Sequence, residues 1–295
     1  GGLGELAGPL MRICWMALVA SDALRKLLHI TRPREFVPGA ADAAFRGSLD
    51  SLCRVIEETK SSGMGMARAI AAAMEEAGER FDRVLTDDTS ELLLIGVVGE
   101  IYCRLDTFSN ESLIRELEKF GAMAWLSDIS EWVWYTDTER MKNLRSLGRT
   151  FSGEMAGALT KRFFQRRYES TILDPIRGRL SLLPEPHDIM EILRCGEPYL
   201  PWKGALGEMA LSVGKSVYMH GKGVDGIVDI SPFTCMNGIV AESVYPRVSR
   251  DHDGLPIRSF YFDGTRKDLD SELSVFMELA RGYNRRRSVR IGESA

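Results

Sequence analysis

The chain has no long apolar run, no closely spaced cysteines and no excess of basic charge, and each shortage removes a class of protein. Its longest unbroken apolar stretch, Ile13 to Ala20, falls far short of the roughly 20 residues a membrane span requires. No basic leader with an apolar core precedes it, so the expectation is a cytoplasmic protein with no membrane partner. A net charge of -4 and a pI near 5.8 supply no field for nucleic acid. The basic spots Lys161 to Arg167 and Arg285 to Arg287 are short and lie in or beside helical patterns, so no nucleic-acid partner is expected. The five cysteines, Cys14, Cys53, Cys103, Cys195 and Cys235, are scattered, odd in number and free of any CxxC pair. That excludes a disulfide framework and a self-contained zinc site. Phosphate-loop patterns are missing too: "GKGVDG" lacks the GxGxxG frame after a strand and reads as a turn, and no ATP site is expected. The sequence opens "GGLGELAGPL" with no methionine and is already helical there, which suggests the C-terminal part of a longer polypeptide, or a trimmed one.

With 44% hydrophobic and 27% charged residues over 295 positions, the chain can bury sizeable cores. Helical periodicity covers Leu10 to Leu28, about Ala40 to Lys60 and about Met64 to Leu85, with Pro33, Pro38 and Gly39 as breaks. A leucine and β-branched run, Leu92 to Val98, then reads as a strand closed by Gly99. The segment "NESLIRELEKFG" reads as a helix with Asn110 or Ser112 as N-cap and Gly121 as stop, followed by a strand in "AMAWL". That is one βαβ unit, and the right-handed crossover makes its strands parallel neighbours. After an arginine-rich helical region, helices and strands alternate again through "GVDGIVDIS" and "LPIRSFYFDG". The expectation is therefore an α/β protein of two Rossmann-like lobes with short parallel sheets plus a helical N-terminal segment. Residues 1–137 would hold the helices and first lobe, and 138–295 a helical connection and second lobe.

Ligands of open α/β sheets bind beyond the carboxyl ends of strands. The residues there are Glu100, Cys103, Arg104 and Asn110 after the first strand and Glu131 with Trp132 after the second. Cys235, Met236 and Asn237 follow the third strand, and Asp263 and Gly264 the fourth. Apart from Trp132, they are expected to surround one cleft between the lobes. Glu208, His220 and Lys222 are weaker candidates, Trp132 and Trp134 are expected to pack a lobe interface, and Cys14, Cys53 and Cys195 are expected in cores.

The segments "VGEIYCRLDTFSN", "SEWVWY", "GKGVDGIVDISPFTCMNGIVAES" and "IRSFYFDGTRKDLDSELSVFMELA" resemble the family related to 2-hydroxyacyl-CoA dehydratases and their activases, the branch of CoA-substrate-specific enzyme activase-related proteins. The likeness spans about Arg12 to Tyr283. It implies repeated Rossmann-like lobes and an iron-sulfur cluster held between lobes on cysteines at strand ends. It makes Cys235 a metal ligand, with the cluster incomplete in this chain; Cys103, which follows the first strand and faces the same cleft, is a second candidate by its position. The function it implies is an iron-sulfur electron-transfer component fed by an ATP-dependent activase, in anaerobic metabolism. Two alternatives stay open: a non-catalytic binding or scaffold module of the same fold with no cluster, and a dehydratase-like enzyme acting on an acyl-CoA.

Overall fold

The computed structural model describes residues 3–87, 89, 91–204, 207–265 and 268–294. The helices are α1 Leu3–Thr31, α2 Ala40–Glu58, α3 Met64–Asp82, α4 Ile101–Leu105, α5 Leu113–Lys119, α6 Ser130–Ser146, α7 Gly153–Leu173, α8 Ile189–Gly196, α9 Met209–Gly221, α10 Met236–Asp251 and α11 Leu269–Ser294. The strands are β1 Leu93–Gly99, β2 Ala122–Leu126, β3 Gly226–Pro232 and β4 Ile257–Phe262. The chain forms two compact units, Gly1–Asp88 with Asp128–Pro184, and Thr89–Ser127 with Glu185–Ala295. A cut at 137/138 does not describe them. Strands from both halves of the sequence share one core, and helices from both halves share the other.

The first unit is helical, as the N-terminal periodicity leads one to expect. Met16, Leu24, Met66, Ile70, Met74 and Ile172 are fully buried in one core of α1, α3 and α7. Trp134 packs edge-on against Trp15 with ring centroids 5.0 Å apart, and Trp132 lies 5.5 Å from Tyr135. The tryptophans thus take part in packing inside this unit. Cys14 and Cys53 are exposed rather than buried: both fall on the outward stripes of α1 and α2, whose inward stripes are filled by larger apolar side chains.

The second unit is an α/β unit with all strands parallel, in the order β2-β1-β3-β4. The two expected strand pairs are therefore halves of one four-stranded sheet. β1 and β3 pair from Ile95↔Gly226 to Gly99↔Ile230, which satisfies backbone groups that two separate two-stranded sheets would leave as bare edges. β2 is buried throughout and β1 nearly so, which is why they read as unbroken apolar runs. On one face Leu113 and Leu117 of α5 and Leu273, Phe276 and Met277 of α11 pack against Val97, Val228, Ile230 and Phe260. Elsewhere Val213 of α9 and Ala241, Tyr245 and Val248 of α10 form a further core.

Candidate functional site

From β1 the chain moves to β2 on one side, while β3 and β4 lie on the other. The order reverses between β1 and β3, and the crevice beyond their carboxyl ends is the topological switch point where ligands of such sheets bind. Gly99 closes β1 with φ of 117°. A side chain there would come within 2.1 Å of the Ile230 carbonyl oxygen and 2.7 Å of Asp229 Oδ1, so only glycine permits this fork. The next residue, Glu100, donates its backbone N–H to Ile230 O at 2.8 Å. Its carboxylate caps α4, accepting from Tyr102 N at 3.1 Å and Cys103 N at 2.7 Å.

Across the crevice β3 ends at Pro232, and Thr234 adopts a left-handed φ of 67°, uncommon for a β-branched residue and often a mark of a functional turn. That turn places half-buried Cys235 as the N-cap residue of α10. Met236 is 76% exposed and Asn237 half-buried. Burial pushes the Cys103 thiol up to about 12, with further contributions from the nearby Glu100, Asp106 and Cys235. Cys103 is therefore a neutral thiol at physiological pH.

A cavity of about 1090 Å³ opens at this end of the sheet, lined by Glu100, Cys103, Thr107, Phe108, Glu116, Phe262, Gly264 and Asp268 among others. Of the residues expected in one cleft, Glu100, Cys103 and Gly264 line it. Arg104 is buried and donates Nη1 to Ser127 O at 2.8 Å. Asn110 does not cap α5; its amide bonds Cys103 O at 2.8 Å and Arg104 O at 3.3 Å, because Ser112 at the N-cap has a left-handed backbone and makes no side-chain cap. Exposed Asp263 turns back to accept from Thr265 N at 2.9 Å and Thr265 Oγ1 at 2.6 Å. Glu131 belongs to the helical unit, buried in the first turn of α6. His220 sits at the other end of β3, its ring 3.0 Å from Tyr283 OH.

Sequence reasoning missed Asp229 and undervalued Glu208. Asp229 is buried within β3, where Tyr245 OH donates to its carboxyl and Ser231 Oγ lies at 3.4 Å. Burial raises it to about 6, against the lowering effects of Tyr245, Arg104 and Ser231. The signal was present in "GIVDIS", a lone carboxylate inside an apolar run. Glu208 precedes α9, accepts from Ile101 N at 3.4 Å and is raised by burial, partly offset by Arg104.

An iron-sulfur cubane is held by cysteine thiolates, typically four. Here Cys235 and Cys103 are the thiols near the switch point. Among the described residues no group of three or more His, Cys, Asp or Glu side chains has a metal-holding arrangement. The two thiols near the switch point are fewer than the four thiolates a cubane takes.

Comparisons with protein-family models, with curated proteins and with solved structures found no match. Fold and site together define a parallel α/β unit with a topological switch point between β1 and β3, flanked by Glu100 and Cys235. Among the described residues no helix is long and apolar enough to cross a membrane.

Proposed function

We propose that the sheet unit is the thiol-bearing part of a redox component related to 2-hydroxyacyl-CoA dehydratases and their activases. In this reading Cys235 gives one thiolate to an iron-sulfur cluster, the other thiolates come from outside the described residues, and an ATP-dependent activase is the electron source. The observation that carries it is the placement of Cys235: half-buried, just beyond β3 at the switch point, heading a 16-residue helix and set there by the left-handed Thr234.

A module that binds a ligand without a cluster is the second reading, and the small number of thiols near the switch point favours it. An enzyme acting on an acyl-CoA has the least support. Among its described residues the lining of the cavity offers one cation, Lys119, to the phosphates of coenzyme A.

The test is anaerobic purification of the natural polypeptide, with and without Cys235→Ser, and measurement of iron, sulfide and visible absorption. Loss of iron and of the brown chromophore in a folded variant supports the redox reading. Equal, non-zero iron in both proteins removes Cys235 from the ligand set, and no iron in either leaves the ligand-binding module.

A further inference from the structure

The two outer strands of the sheet differ. β2 is buried along its whole length, whereas in β4 Arg258 is exposed and Ile257, Ser259 and Tyr261 are half-buried. Ile227 N–H donates to Pro256 O and Phe233 N–H to Phe262 O, each at 2.8 Å. In the evenly stepped parallel ladder between these bonds, Arg258 and Phe260 also turn their backbone toward β3. The N–H and C=O groups of Ile257 and Ser259 therefore point away from the sheet. Among the described residues no strand lies beyond β4, and such an edge is a template for a further strand.

A groove of about 620 Å³ runs beside this edge, between the start of β4 and one side of α11. That side carries Val275, Leu279, Gly282 and Arg286 at helical spacing, while Leu273, Phe276 and Met277 of the same helix pack in the sheet's core. Val275 is 63% exposed and Leu279 58%. Glycine weakens a helix interior, and among the described residues a Cβ at Gly282 would meet only the tip of Arg286, at 3.5 Å. Packing within the chain thus gives no reason for the glycine, whereas the close approach of a second helix does.

The charges and the strand both select a second copy as the occupant. The described lining of the groove sets Arg258 and Arg286 against Glu272 and Glu278, a balanced patch on a chain of net charge -4. A surface that meets itself across a twofold axis needs both signs, whereas a strongly charged partner is matched by one. The edge is self-complementary as well. Turned antiparallel about Ser259, β4 sets its outward-facing residues opposite outward-facing residues of the other copy, as an antiparallel ladder requires. The axis then stands perpendicular to the sheet and keeps both α11 helices on the same face.

We propose that β4 and the Val275–Leu279 side of α11 form an interface with a second copy of this chain. The two β4 strands pair antiparallel across a twofold axis into one continuous sheet, and the two α11 helices pack over the join. The interface is independent of Cys235 and of any cluster.

The test is analytical ultracentrifugation of the full chain across micromolar concentrations, where a reversible monomer–dimer equilibrium is expected. Ser259→Pro removes one outward N–H donor from each copy at the centre of the pairing. Proline is tolerated on an outer strand where the N–H faces away from the sheet, so the variant should keep its circular dichroism and dimerise on the order of thirtyfold more weakly. Leu279→Arg, at an exposed helical position, brings like charges together across the axis and should weaken dimerisation at least as much, and this variant decides the interface if proline disturbs the strand. Leu159→Arg, on the exposed side of α7, should leave it unchanged. A chain that stays monomeric overturns the proposal and leaves the edge to an extended segment of another protein. A dimer that withstands Leu279→Arg, or that Leu159→Arg weakens equally, places the interface elsewhere. Weakening by Leu279→Arg alone, with folded Ser259→Pro dimerising as before, overturns the strand pairing.

Discussion

The ammonium group of Lys215, on α9 and 1% exposed at its side chain, is ion-paired with Glu185. It lies 5.4 Å from the ring centre of Trp125 and 5.3 Å from that of Tyr218. Glu185 also accepts from Trp125 Nε1 at 2.9 Å, so one carboxylate ties β2 to α9 where the chain enters the sheet unit. Removing one partner of a buried pair strands the other charge and costs about 3–5 kcal/mol, whereas an apolar replacement for the buried charge is cheaper. Glu185 retains 24% exposure at its side chain and can be solvated when Lys215 is lost. Glu185→Ala is therefore expected to destabilise more than Lys215→Met. Urea unfolding of both variants checks the ranking, and the reverse order would show that the ammonium is not isolated from water.

Asp229 makes stability fall as pH rises. Its carboxyl goes from 3.8 to about 6 on burial in the fold, so the folded state prefers the protonated form. The corresponding stability is fully present below about pH 3.8 and is lost as pH rises through about 6. A shift of that size is worth on the order of 2–3 kcal/mol. Asp229→Asn keeps an acceptor for Tyr245 and cannot ionise. The difference in unfolding free energy between the variant and the natural protein should therefore grow in the variant's favour across that window. A constant difference from acid to neutral pH would place Asp229 in a wetter site.

His29 acts in the opposite direction. Burial, with Arg32 and Arg25 beside it, lowers the imidazole from 6.5 to about 3, and its Nδ1 is buried with no hydrogen-bond partner. The folded state requires the neutral ring, so this contribution is present above about pH 6.5 and is lost as pH falls toward about 3. The loss is on the order of 4 kcal/mol. His29→Leu fills similar volume without a titrating group. Acid unfolding of the variant should begin at a lower pH, and an unchanged acid midpoint would reject the account.

The strands and the switch-point residues were legible because parallel buried strands are unbroken apolar runs and punctuation by Gly99, Pro232 and Gly264 marks their ends. What the sequence hid was the pairing of β1 with β3, separated by more than a hundred residues. Apolar pattern gives a strand's faces but not its neighbours, so four strands could equally be two pairs. Glu131 shows the same limit. It follows β2 as Glu100 follows β1, yet Asp22 Oδ2, which accepts from Ser130 N at 3.0 Å, holds its neighbour in the helical unit. Asp229 was legible as a charge in an apolar run and was passed over, because its partner Tyr245 lies 16 residues on, inside the next helix.

Gly99 sets the geometry of the site, and a comparison with Gly121 isolates how. Both have positive φ, 117° and 82°, so alanine at either pays the backbone strain of the left-handed region, roughly 1–2 kcal/mol. At Gly121 nothing lies within 4 Å of the added methyl, and the cost ends there. At Gly99 the methyl meets backbone, the Ile230 oxygen at 2.1 Å and nitrogen at 2.6 Å, atoms that cannot swing aside as a side-chain tip can. The fork between β1 and β3 must then open, breaking the Glu100 N–H bond to Ile230 O. The expected cost of Gly99→Ala is at least about 3 kcal/mol, from overpacking added to strain, and that of Gly121→Ala no more than about 2 kcal/mol. Opening the fork also uncovers Cys103, whose reaction with a thiol reagent in the folded state should accelerate in Gly99→Ala and not in Gly121→Ala. Equal destabilisation and equal thiol reactivity in the two variants would mean that the strands part at this point without cost, and that the switch-point crevice is not held by Gly99.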